Sequence, residues 1–480
     1  MARGRALIGG AVVVLLAVVG TCCVRATKTV TPALKTVDVP APTGWPQGPA
    51  VEVLGINEAV SIPKRTMDID DPSDERVRRL YSLDAEAARG AGARWVRSHT
   101  AVPPFMHWKR WTRDPDQAIA DMDIWIQVVH EAGLSPIFMV SPFSGNHTSS
   151  TTPAYVIDDP ESYAEYVTAV VERYDGDGVD DMPGLARPVH TWEVDNEPDL
   201  KNTAQPRGKG APRGFEPESF CTPEEYAAVL LETSRLIRAA DSEAVVLNGG
   251  FYRPMTNTAR RYMTALFAVE GVLDSFDVLS LHAYHSGLDM SRFEGAIANG
   301  RELAPGKPVW ITETNVPSVP GNKDEPWVDE KYQGEMVVRT FVTALRLGVE
   351  RVFWHTLNDP PIQHKKGGPG MSTNSLFRAI EGSNSLEPKP AAAAYGAIAR
   401  ALTGVDWSEV EEVAAEGGEV VRVGDRWLVV SYDGGPVTAE LPPVSVSVLI
   451  SGISVGVEEA DGATTLDMSQ GPLLLSALKQ

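Results

Sequence analysis

Thr191-Trp192-Glu193-Val194-Asp195-Asn196-Glu197-Pro198 reads as a short apolar strand that runs out into a polar loop. Val309-Trp310-Ile311-Thr312-Glu313-Thr314 repeats the pattern three strand-and-helix units later. Each leaves a glutamate where a strand ends, and the count of strands around them decides the fold.

Short apolar runs alternate with helix-period segments from Val51 onward: Val51 to Ile56, Trp95 to Ser98, Pro136 to Val140, Thr191 to Val194, Ala244 to Leu247, Val278 to Leu281, Val309 to Thr312 and Arg351 to Trp354. These make eight predicted strands. Helix signals fall between them. Asp159-Pro160 opens a helix with Pro at its first position, and Tyr163, Tyr166, Val167, Val170 and Tyr174 share one face. Thr222-Pro223-Glu224-Glu225 has the form of a capping box. Lys389 to Leu402 predicts an Ala-rich eighth helix closed by Gly404. Eight alternations without a Gly-rich phosphate fingerprint after the first strand predict a (β/α)8 TIM barrel over residues 49–403, not an open doubly wound sheet. After Gly404 the runs Glu419 to Val423, Trp427 to Tyr432, Val437 to Glu440, Val444 to Ile450 and Leu473 to Leu475 are strand-like and separated by Gly, Asp and Pro turns. They predict a small all-β sandwich domain over residues 404–480.

The N-terminus is set apart. Arg3 and Arg5 precede an uncharged stretch, Ala6 to Val24, which predicts a signal peptide or membrane anchor over residues 1–24. Val19-Gly20-Thr21-Cys22 loosely resembles a bacterial lipobox, so a lipoprotein is one form of that export. Residues 25–48, with Thr, Pro and Lys and no apolar period, predict a flexible linker. The expectation is an exported protein, secreted or anchored to the bacterial cell envelope. Cys22, Cys23 and Cys221 are the only cysteines, so the mature domain holds no disulfide framework and no thiolate metal site. A net charge of -21 disfavours nucleic acid and anionic polymers as partners. The C-terminal segment shares this bias, with 3 basic and 13 acidic residues.

In a barrel of this kind the C-terminal ends of the strands converge on one mouth. Glu197 after the fourth strand and Glu313 at the end of the seventh face each other there, and two carboxyls ~5 Å apart across an anomeric carbon are what a retaining glycosidase requires. Asn196-Glu197-Pro198 with Glu313 resembles the signature of glycoside hydrolase clan A, the four-seven superfamily, from about Val51 to Leu402. Glu193-Val194-Asp195-Asn196-Glu197-Pro198-Asp199 is most similar to family thirty-nine. Asp195 stands where that family often has Trp, and Trp354-His355-Thr356-Leu357-Asn358-Asp359 differs from its usual eighth-strand ending.

The resemblance implies Glu313 as nucleophile and Glu197 as acid, then base, protonated at rest. Asn196 is placed to hydrogen-bond the sugar 2-hydroxyl. Arg97 sits where clan members carry an arginine that keeps the nucleophile ionised. His282 and Tyr284 close the sixth strand beside Glu313, one of them bonded to its carboxylate. Trp354 is the candidate platform for a sugar ring. Tyr252, Phe143, Trp108, Trp111 and Trp327 lie in loops and are as readily packing residues. No cofactor and no catalytic metal is implied. Asp175, Asp177 and Asp181 in Asp175-Gly176-Asp177-Gly178-Val179-Asp180-Asp181 have calcium-loop spacing without a distal Glu, and a polar turn is the alternative.

The expected partner is a neutral oligo- or polysaccharide, xylose-type glycans being one class. A catalytically silent barrel binding envelope polysaccharide, or a transglycosidase, are the competing readings. Sugar identity, linkage and oligomeric state are not written in the sequence.

Overall fold

The computed structural model describes residues 28–30, 51–57, 75–98, 107–142, 157–200, 222–285, 289–318, 330–359, 374–379, 385–405, 410–449, 454–455, 462–469 and 471–477. The apolar N-terminal stretch, Cys22, Cys23, Cys221, Phe143 and Trp327 lie outside them. Among the described residues no helix is long and apolar enough to cross a membrane.

Eight parallel strands alternate with eight helices: β1 Val51–Asn57, α1 Glu75–Ala91, β2 Ala93–Arg97, α2 Pro115–Glu131, β3 Ser135–Val140, α3 Pro160–Glu172, β4 Thr191–Val194, α4 Pro223–Ala240, β5 Val245–Asn248, α5 Asn257–Phe267, β6 Leu279–His282, α6 Ser291–Leu303, β7 Val309–Thr314, α7 Glu330–Arg346, β8 Arg351–His355 and α8 Pro390–Leu402. The sheet runs β5-β4-β3-β2-β1-β8-β7-β6 and ends on a ninth, two-residue strand, Phe251–Tyr252, which pairs in parallel with β6, and a parallel bridge from Leu247 to Val278 closes β5 onto the start of β6. The predicted strands differ from these by a residue or two at their ends. The local signals act as read: Asp159 accepts the Ser162 N–H at 3.1 Å before Pro160, and Thr222 and Glu225 form both halves of a capping box. Gly404, after the Thr403 C-cap, sits at φ +72°, a conformation that suits glycine.

Side-chain parity sorts the barrel. Ile137, Leu247, Val278, Trp310 and Phe353 form a separate inner cluster, with Trp95 and Val245 against it. The Arg351 guanidinium lies 4.5 Å from the Trp95 ring and 4.0 Å from the Trp310 ring, a cation–π plug at the base. A Cβ on Gly55 would fall 2.3 Å from the Phe353 ring, so glycine there makes room for the inner phenylalanine. The larger cluster, between strands and helices, takes Trp125, Trp192, Trp354 and Tyr395.

Past the barrel two mostly antiparallel sheets face each other. One includes β9 Val410–Val413, β10 Gly418–Val423, β11 Arg426–Ser431, β13 Val444–Val448 and β15 Leu473–Ala477, and the other β12 Val437–Leu441 and β14 Gly462–Leu466. Val420, Trp427, Val429, Val437, Leu441, Val446, Leu466 and Leu475 fill the space between. Lys28–Val30, within the stretch expected as a linker, pairs in parallel with β14.

Candidate active site

Parity brings one row of polar side chains to the mouth. Asn57 is in register with both Arg97 and His355, so the last inward residues of β1, β2 and β8 lie side by side. On β7 the register slips against both neighbours: Leu281 and His282 pair with Ile311 and Glu313, while Val352 and Trp354 pair with Ile311 and Thr314. Both slips place an extra residue on β7, a bulge at Thr312–Glu313. Adjacent strand residues normally point to opposite faces, and the bulge allows Thr312 and Glu313 both to turn inward.

Arg97, 1% exposed, is the centre of the site. It donates Nε–H to Glu193 Oε2 at 2.5 Å and Nη1–H to Glu313 Oε1 at 3.0 Å and Asn57 Oδ1 at 3.1 Å. Its Nη2 donates to Asn196 Oδ1 at 2.7 Å. Tyr284 donates its hydroxyl to Glu313 Oε2 at 2.5 Å. His282 Nδ1 lies 2.6 Å from Glu197 Oε1 and 3.4 Å from Glu313 Oε2, bridging the two carboxyls. Burial disfavours the imidazolium, but the Glu313 charge and the Glu197 hydrogen bond outweigh it and hold the His282 pKa above its ordinary value. Ligand atoms of Glu197, His282 and Glu313 all fall within 4.8 Å of one another.

Beyond the strand the backbone is bent to bring Glu197 back over the mouth. Asp195 has φ +67° and Glu197 φ +49°, and the Glu197 N–H is tied to Gly250 O at 3.2 Å. Non-glycine residues held in this region cost energy and cluster at functional sites. Asp195 is wholly buried, with Ser141 Oγ donating to its Oδ1 at 3.0 Å. Burial, against hydrogen bonds from Asn196 and Ser141, pushes its carboxyl up to about 7. Asp199 accepts the Tyr252 N–H at 2.8 Å and is pushed up to about 8, first by burial and then by the Glu197 charge.

Glu197, Glu313, Arg97, Asn196, His282 and Tyr284 therefore meet in one network. Trp354 does not join them. It is fully buried, faces the helix layer and donates its indole N–H to Asn374 O at 2.9 Å, so it offers no face to a sugar. Parity explains the correction: Phe353 and His355 point inward, so Trp354 between them points out, and His355 takes the mouth position with Nδ1 2.8 Å from Asn57 Nδ2. Trp108 and Trp111 also pack on helix α3, against Tyr163 and Tyr166. Glu193, Asn57, Ser280 and His355 belong to the network and were not among the expected site residues. Counting two residues back from His282 reaches Ser280 on the same face of β6, so strand parity was the signal for that one.

The acidic loop at the opposite end is held by its own backbone. Asp181 accepts the Gly176 N–H at 2.9 Å and the Gly178 N–H at 2.8 Å, and Asp177 accepts that of Val179 at 2.8 Å. Glu172, Asp175 and Asp177 bring oxygens within 4.8 Å of one another, and Asp181 is spent on the turn.

Residues 195–386 match the family model for the glycosyl hydrolase catalytic core. The barrel shares its fold with solved glycoside hydrolases of several families. A family 39 glycoside hydrolase from Bacteroides cellulosilyticus superposes with a TM-score of 0.61 at 15% identity, over 90% of this chain and 81% of that one. A family 51 alpha-L-arabinofuranosidase from Bifidobacterium longum gives 0.53 at 13%, over 90% and 97%. A family 5 glycoside hydrolase from Bacteroides vulgatus gives 0.54 at 13%, over 88% and 88%. No curated protein matches the chain in sequence. The clan A likeness, family thirty-nine included, thus agrees with the motif reading, and at these identities the structural neighbours speak to the fold.

Proposed function

We propose that the protein is an exported retaining O-glycoside hydrolase that cleaves neutral glycans by double displacement. The observation that carries this is the spacing of the Glu197 and Glu313 carboxylates, whose nearest oxygens lie within 4.8 Å. Retaining enzymes hold the pair about 5–5.5 Å apart, whereas inverting ones leave about 6.5–9.5 Å for a water.

Glu313 attacks the anomeric carbon. Arg97 and Tyr284, both donating to its carboxylate, stabilise the anion and aim it. Glu197 gives its proton to the departing oxygen, and after the aglycone leaves it takes one from the water that releases the sugar. His282 Nδ1, in contact with both carboxyls, carries part of the charge that passes between them. The Asn196 amide donates to the sugar 2-hydroxyl and strengthens that bond as the oxocarbenium ion forms. Export is inferred from Arg3, Arg5 and the apolar run Ala6 to Val24, with envelope anchoring through that segment as its retained form.

The test is a panel of aryl glycosides, xylosides included, with wild type, Glu313→Ala and Glu197→Ala. Both variants should lose at least about a thousandfold in kcat. Azide should rescue Glu313→Ala with a product of inverted configuration. Turnover near wild type in either variant overturns that residue's role, and inert wild type across sugars and polysaccharides favours the silent barrel.

A further inference from the structure

Glu193 takes no bond-making step in this mechanism, yet it is wholly buried in the mouth, at 0% exposure. Each of its contacts leads to one of the reacting groups. Oε2 receives Arg97 Nε–H at 2.5 Å, and the same guanidinium donates to Glu313 at 3.0 Å and to Asn196 at 2.7 Å. Oε1 receives the Gly250 N–H at 3.2 Å, and the carbonyl of that same glycine accepts the Glu197 N–H at 3.2 Å. Ser280 Oγ donates to Oε1 at 2.9 Å and lies 2.6 Å from the hydroxyl of Thr312, the residue before the nucleophile. The assembly has little slack, since a Cβ on Gly250 would fall 2.1 Å from His282 Nε2.

A closed buried ion pair would be a structural element and no more. This one is open. A single cation, Arg97, serves two buried carboxylates on opposite sides of the mouth, so what Glu193 takes from it Glu313 does not receive. The ionisable groups around it and His282 are Glu193 from β4, Asp195, Glu197 and Asp199 from the loop after β4, His282 and Tyr284 from β6 and beyond it, Glu313 from β7 and His355 from β8. We infer that Glu193 is a positioning residue that divides the Arg97 charge between itself and the nucleophile and, through the N–H and C=O on either side of the Gly250 Cα, sets the height of Glu197. The inference rests on the glycosidase reading for its consequence in turnover, but not for its electrostatics.

Glu193→Gln keeps the shape and removes the charge. Arg97, which already opposes protonation of His282, would then act on it with one of its two paired carboxylates gone and only Glu313 left to offset it. The His282 imidazole, followed by nitrogen NMR, should titrate at lower pH than in wild type. The bell-shaped pH–rate profile should move to lower pH as a whole, with kcat down about tenfold and KM little changed. Glu193→Asp keeps the charge on a shorter arm, so its His282 midpoint should stay near that of wild type while kcat still falls.

The NMR titration needs no turnover. A shifted His282 midpoint with wild type inert on every glycan removes the glycosidase reading and leaves the charge division standing. Active wild type with an unmoved midpoint and an unmoved profile in Glu193→Gln overturns the inference and leaves the reading intact. Should Glu193→Gln fail to fold, Ser280→Ala, which withdraws one donor from Oε1, should lower kcat severalfold with KM unchanged, and wild-type kcat there overturns the inference.

Discussion

Tyr284 donates to Glu313 at 2.5 Å, a hydrogen bond to an anion that must stay ionised and aimed. Bonds of that kind contribute about 1.5–3 kcal/mol. Tyr284→Phe should therefore lower kcat about 10- to 100-fold with a small change in KM, measured on an activated aryl glycoside. Asp199 predicts a dependence on pH. Its carboxyl is pushed from 3.8 to about 8 on folding, so the neutral form is the one the fold favours. A raised folded pKa gives stability that is complete below the unfolded value and lost as pH rises through the folded one. Asp195, pushed up to about 7, has the same sign. The melting temperature should fall between about pH 4 and 8, and Asp199→Asn should flatten that decline. A melting temperature that is level over this range would contradict both assignments. The residues that could be named from sequence were those with chemistry at a strand end. Trp354 has the chemistry of a sugar platform, but the register, which places His355 beside Asn57, turns it away from the mouth.

At the scale of the element, helix starts were the most legible feature because each is closed by a few neighbouring atoms. The Thr222 hydroxyl accepts the Glu225 N–H at 3.2 Å, and the Glu225 carboxylate accepts the Thr222 N–H at 2.8 Å. Thr222→Ala should cost about 1 kcal/mol, read from a denaturant midpoint, with kcat unchanged, since α4 lies behind β4 and not in the mouth. The β7 bulge was not legible. Ile311-Thr312-Glu313-Thr314 has no glycine or proline to announce an extra residue, and the slip appears only in the pairing with β6 and β8. Strands that borrow their pairing were hidden for the same reason: Gly462–Leu466 is rich in threonine and small residues and shows no apolar alternation.

Over the whole molecule, barrel and sandwich are joined through α7. Glu419 of β10, 4% exposed, accepts from Thr343 at 3.1 and 3.0 Å and from Arg346 Nε at 3.1 Å, and Arg346 also pairs with Glu294 of α6. Arg426 of β11 caps the far end of α8 through the carbonyls of Ala401 and Thr403. The sandwich is thus fastened at two helices by charge as well as by apolar contact. Removing one member of a buried pair leaves the other uncompensated, at about 3–5 kcal/mol, whereas removing both can be nearly neutral. Arg346→Met alone should lower the calorimetric melting temperature by several degrees, roughly in proportion to that loss. Adding Glu419→Gln to the same chain should recover most of it, because the stranded charge has gone. If the double variant is no more stable than Arg346→Met, the seam is held by packing, and the ion pair contributes only geometry. The mouth lies at the strand ends and Glu419 at the helix layer, so kcat for either variant should match wild type at temperatures below the first transition.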